Sequence, residues 1–140
     1  MKAGHKGRIL VVDDNKGLGL IVQMILELEG YDVRLARDGE EGYGTYLDFR
    51  PDLVITDIEM PGKNGFELMR EIKTHNPNIS TIYMSADSGL FWSLPKEDQE
   101  AYRVSCLEKP FSREILMGLV SKHLKRAYRT RGQSQTPHSV

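Results

Sequence analysis

The 140-residue sequence predicts an α/β fold, a parallel sheet of five strands wound on both sides by helices. Two patterns carry that expectation. Short apolar runs, too brief for helices, alternate five times with apolar residues at helical spacing. The runs at 9–12 and 53–55 are continuous in apolar character, as strands covered on both faces must be. Composition agrees, since 39% apolar and 28% charged residues suit one globular domain. At this length the chain can bury a core without disulfides or a structural metal.

Each element has its own signal. The run 9–12 is the first strand, and Leu18, Ile21, Val22, Ile25 and Leu26 mark a helix that Gly30 ends. Tyr31, Val33 and Leu35 alternate with Asp32, Arg34 and Ala36, which predicts a half-covered strand near a sheet edge. Asp38 and Glu41 have the spacing of a capping box for the second helix, weakened by Gly42 and Gly44. The run 53–55 is a buried strand closed by Asp57. Asn64 and Glu67 repeat the capping pattern ahead of Phe66, Met69 and Ile72 on one helix face. Residues 79–84 form the fourth strand. Between 88 and 100 the pattern is least clear, because Pro95 stands where a crossover helix is expected. Residues 104–107 are the fifth strand, and Ser112 caps a last helix marked by Ile115, Leu116, Leu119 and Val120.

The domain is expected to span 8–126, between a small basic tail at 1–7 and a polar stretch at 127–140 read as a fraying helix end and an unstructured tail. A net charge of −1 gives no reason to expect direct nucleic-acid binding. No apolar run approaches the roughly 18 residues of a membrane span, so no membrane insertion is expected. The single cysteine, Cys106, excludes an internal disulfide and fits a reducing compartment, and with no signal-peptide pattern the cytoplasm is the expected location.

In doubly wound sheets, function gathers at the carboxyl ends of the strands. There the sequence places Asp13 and Asp14, then Asp57, then Ser85 with Asp87, then Lys109. Any one of these would be an ordinary polar residue at a strand end. Three carboxylates, a hydroxyl and an ammonium on one edge are poorly explained by chance. Carboxylates about 4 Å apart repel by roughly 4 kcal/mol at an effective dielectric of 20, so the cluster calls for a cation. Oxygen ligands select a hard ion, Mg²⁺ or Mn²⁺, which keeps waters and shares itself with phosphate oxygens. Asp57 is then the natural nucleophile, with Lys109 and Ser85 directed at phosphoryl oxygens.

The segments ILVVDDN, PDLVITDIEMPGKNGFEL, IYMSAD and LEKPF, from Arg8 to Leu124, resemble the receiver domains of two-component response regulators. The resemblance implies a flavodoxin-like sheet in the order 2-1-3-4-5 and a phosphoacceptor at Asp57. It also implies a Mg²⁺ site made by Asp13, Asp14, Asp57 and the backbone carbonyl of Glu59. Ser85 would be the switch hydroxyl and Lys109 the phosphate-binding lysine, ahead of a proline whose peptide bond is usually cis in this family. Such a domain, of the stand-alone type, takes its phosphoryl group from a sensor histidine kinase or phosphotransfer protein. It assists its own phosphorylation and dephosphorylation without being a conventional enzyme, and acts on a downstream target protein or passes the group on.

The sequence departs from the family at Cys106, where an aromatic ring is usual. The thiol reads as a small buried hydrophobe rather than a redox sensor. Trp92 reads as core, with a partner anchor as the alternative. Glu59 and Asp87 are placed to tune phosphate lifetime, or are solvated rim charges. His5, His75, His123 and His138 lack metal-ligand spacing and are read as solvent-facing, and the basic cluster from Lys122 to Arg131 as a solvated helix face. The competing functions are a non-phosphorylated interaction module built on a degenerate receiver and a phosphatase using Asp57-Ile58-Glu59. A dinucleotide site at Gly17 and Gly19 lacks its third glycine.

Overall fold

Strand β1 (Arg8–Val12) shows how the chain fills both sides of its sheet. Successive side chains point to opposite faces. Ile9 and Val11 therefore join one apolar cluster and Leu10 and Val12 another, and all four are fully buried. A strand whose every second residue was polar could not occupy this position. The computed structural model describes residues 6–99 and 103–135, with side chains as far as Leu124.

The remaining strands are β2 (Asp32–Ala36), β3 (Leu53–Asp57), β4 (Ser80–Ser85) and β5 (Val104–Glu108). All pair in parallel, in the order β2-β1-β3-β4-β5. This is the flavodoxin-like order that the family resemblance implied. Strand β2 lies at the edge, as its sequence predicted, but its burial does not simply alternate: Val33 is covered on one face and Ala36, expected on the open side, is fully buried on the other.

Helices α1 (Lys16–Leu28) and α6 (Arg113–Gln135) cover one face through Val22, Leu26, Leu116 and Val120. Helices α2 (Gly39–Phe49) and α3 (Gly65–Ile72) cover the other through Tyr46, Leu68, Met69 and Ile72. Burying each such side chain contributes roughly 1.5–3 kcal/mol before the entropy of ordering it is counted. The backbone of α6 runs past Ala127 to Gln135, where composition placed the tail, and residues 136–140 lie outside the described residues. Residues 1–5 of the N-terminal tail do so too.

The caps explain where helices begin. Asn64 and Glu67 form the reciprocal capping box, each side chain accepting the other residue's backbone N–H at 2.9 Å. Asp38 accepts from the Glu41 N–H at 2.8 Å, but the Glu41 carboxylate reaches the N–H of Arg37 instead of Asp38. Ser112 caps α6 through the Ile115 N–H. Gly42, a weakness in helix propensity, is explained by packing. A Cβ there would meet Val12 at 3.1 Å and Leu68 at 3.3 Å, so the glycine lets α2 lie close on β1.

Four sequence expectations are corrected. The crossover between β4 and β5 is two single turns, α4 (Ser88–Phe91) and α5 (Lys96–Gln99), divided at Pro95, which has no N–H to continue a helix. Trp92 is 64% exposed rather than core, with its ring edge against Phe91. His123 is fully buried rather than solvent-facing and shares a 2.8 Å hydrogen bond with the Ser105 hydroxyl. Ile21 and Ile115, assigned to core faces, are both exposed. His75 does face solvent, where it meets the Tyr43 hydroxyl at 2.7 Å. His5, His138 and the basic side chains beyond Leu124 lie outside the described residues.

Candidate phosphoacceptor site

The sheet order reverses between β2 and β3, on either side of β1, and the side chains at the strand ends meet in that crevice. Asp57 is the last residue of β3 and only 4% exposed. Asp13 follows β1 and is fully buried, while Asp14 beside it faces solvent. Oxygens of Asp13, Asp14 and Asp57 all lie within 4.8 Å of one another. The Lys109 ammonium sits 2.6 Å from Asp57 Oδ1 and 3.8 Å from Asp13 Oδ2. The peptide bond from Lys109 to Pro110 is cis, and the Lys109 N–H donates to the Ser85 carbonyl at 2.8 Å, which ties the lysine's turn to β4.

This arrangement is electrostatically incomplete. Two buried carboxylates stand beside one ammonium, and Asp13 Oδ2 has no hydrogen bond. Burial, then the neighbouring Asp13, push the Asp57 carboxyl up to about 8, against the lowering effect of Lys109. A carboxyl that resists ionisation in this way, with further carboxylates beside it, is suited to a divalent cation. The residues present fit Mg²⁺, since they offer hard oxygen donors, one of them buried without a hydrogen bond, beside an open and solvated side at Asp14.

Ser85 is 4% exposed at the end of β4, but its hydroxyl is not directed at Asp57. It donates to the Asp87 carbonyl at 2.7 Å and accepts from the Asp87 N–H at 2.9 Å. Asp87 in turn accepts from the Gly89 N–H at 2.9 Å as the N-cap of α4. Its carboxylate is thus engaged in starting a helix. The Glu59 side chain is exposed in the loop after β3. Cys106 is half-buried against the core cluster on the α3 side, and burial pushes its thiol up, away from the reactive thiolate. It stands in register with Tyr83 of β4, whose ring lies edge-on to Phe66 and beside Phe91.

Three supporting residues escaped the sequence reading. The Asn15 N–H donates to Asp13 Oδ1 at 2.9 Å and so fixes that carboxylate. The Thr56 hydroxyl donates to the Asp57 carbonyl at 2.9 Å. Gly65 opens α3 against the backbone of Asp57, where a Cβ would lie 2.1 Å from the Asp57 carbonyl oxygen. Its place, one residue after a helix cap, was the available signal for a close backbone approach.

Residues 9–121 match the family described as the response regulator receiver domain. The chain is 31% identical over 117 residues to sporulation initiation phosphotransferase F of Bacillus subtilis, a match covering 84% of this chain and 93% of that protein. It is 32% identical over 125 residues to the transcriptional regulatory protein RprY of Bacteroides fragilis, covering 87% of this chain and 51% of that protein. The chain thus spans about half the length of RprY, and it covers 24% of a Bradyrhizobium NtrC to which it is 34% identical. Among solved structures, a CheY-like receiver domain protein from Methanospirillum hungatei superposes with a TM-score of 0.79 at 26% identity. That match covers 88% of this chain and 97% of the other.

Proposed function

The chain belongs to the response regulator receiver domain family, and from that premise we propose that it is a signalling switch set by a phosphoryl group on Asp57. The observation that carries the proposal is the convergence of the Asp13, Asp14 and Asp57 carboxylates beside the Lys109 ammonium.

The chemistry follows from the residues. An ionised Asp57 oxygen attacks the phosphorus of a phosphohistidine on a histidine kinase or phosphotransfer protein. The new O–P bond forms as the N–P bond breaks, and the electron pair leaves with the imidazole nitrogen. Lys109, already 2.6 Å from Asp57, neutralises charge on the transferred group's oxygens. Mg²⁺ held by Asp13, Asp14, Asp57 and the Glu59 carbonyl would supply further charge neutralisation.

Readout begins at Ser85. To reach a phosphoryl oxygen its hydroxyl must leave the Asp87 carbonyl, and Asp87 caps α4, so the change is carried to Phe91 and Trp92. With Cys106 on β5, this route replaces a rotating aromatic ring at that position. Glu59 and Asp87 are rim groups that would set the lifetime of the phosphoryl group. A helix of the phosphoryl donor would cover the outer stripe of α1, where Leu20, Met24 and Leu28 lie one above another beside Ile21, and α1 begins next to Asp14.

Incubation with Mg²⁺ and acetyl phosphate, read by intact mass, tests the proposal. The wild type is expected to gain one phosphoryl mass and Asp57→Asn none. A wild type that stays unmodified would instead favour the non-phosphorylated interaction module.

A further inference from the structure

The divided crossover between β4 and β5 leaves a cavity of about 320 Å³ against the sheet, on the α3 side and apart from the acidic site. Its wall is Phe66, Met69, Tyr83, Leu94 and Val104, an apolar surface with two aromatic rings set edge to face at 5.1 Å. Arg70 of α3, Lys73 at that helix's C-cap and Asp98 of α5 bring charge to its lining. Among the described residues that line the cavity, the formal charges therefore sum to +1. Among the described residues neither cation has an ion pair within 4 Å, and Asp98 is exposed. Lys73 is half-buried, and burial holds its ammonium below the usual lysine range, only partly offset by the charge of Asp98. A cation kept partly out of water, with its nearest anion beyond ion-pair distance, is one that an incoming anion would complete.

We propose that this cavity binds a small aromatic carboxylate, with its ring against Phe66, Tyr83 and Val104 and its carboxylate at Lys73 and Arg70. The volume falls at the lower end of small-molecule sites, room for one or two rings rather than a folded segment. An apolar wall alone would accept any hydrophobe. The two cations select an anion, and Asp98 discourages a dianion. The proposal does not rest on the phosphoacceptor reading, because none of the cavity's residues belongs to the acidic site.

The test is a titration of the full chain with 2-naphthoate, followed by calorimetry and by the NMR shift of the Lys73 ε-methylene. The expected result is saturable binding at one site that moves the Lys73 resonance. Lys73→Met should weaken it by about tenfold or more, the size of one lost charge-assisted hydrogen bond. The neutral 2-naphthalenemethanol should bind at least about tenfold more weakly to the wild type for the same reason. Val104→Trp, which fills the wall without touching the cations, should abolish binding while leaving phosphorylation at Asp57 in place. Absence of saturation, equal binding of acid and alcohol, or binding undiminished in both variants would overturn the proposal.

Discussion

Asp57 is unusual among the buried residues because the fold opposes its ionisation. Its carboxyl is held at about 8 by burial and by Asp13, with Lys109 only partly offsetting them. The sign for stability follows from proton counts. Between the unfolded value near 4 and the folded value near 8 the native state keeps a proton that the unfolded chain releases. This group's contribution to stability therefore falls as pH rises through that window. Denaturant melts without divalent cation should show Asp57→Asn more stable than wild type at pH 8, by about 1–2 kcal/mol, with the difference vanishing near pH 4. Equal stability of the two proteins at both pH values would show that Asp57 is not strained. Such a conflict was foreseeable in kind, since Asp13, Asp14 and Asp57 each stand at a predicted strand end. Its imbalance was not, because burial and the 2.6 Å approach of Lys109 depend on how β1, β3 and the turn after β5 are placed in space.

At the scale of elements, glycines separate helix positions limited by propensity from those limited by contact. In α2 a Cβ on Gly44 meets nothing within 4 Å, so Gly44→Ala should stabilise the protein by about 0.5–1 kcal/mol. In α3 a Cβ on Gly65 would run into Asp57 backbone that has no room to move, and Gly65→Ala should cost about 2–4 kcal/mol. Paired thermal melts decide both, and a tolerated Gly65→Ala would mean that α3 does not press on the backbone of Asp57. Helix starts at Asn64 and Ser112 were legible because capping is local chemistry. The inward face of α1 was not fully so. That helix carries apolar residues over more than one stripe, and its position on β1 decides that Val22 and Leu26 are covered while Ile21 and Met24 are not. His123 could have been placed. It stands seven residues after Leu116 and three after Val120, on the stripe those two define.

Taken as a whole molecule, the alternation of runs and periodicities was enough for a parallel doubly wound sheet, because buried strands and crossover helices have few other arrangements. The crossover after β4 resisted reading, since Pro95 announces a break but not what the broken pieces pack against. There the fold left the exposed Trp92 and an open cavity. The central claim is that strands remote in sequence bring carboxylates together so closely that Asp57 ionises readily only beside a cation. The direct measurement is the pH titration of the Asp57 side-chain carboxyl carbon by NMR, with and without Mg²⁺. A midpoint of about 8 in the metal-free protein, falling below about 7 once Mg²⁺ is added, is the predicted result. A midpoint near 4 that Mg²⁺ leaves unmoved would contradict it.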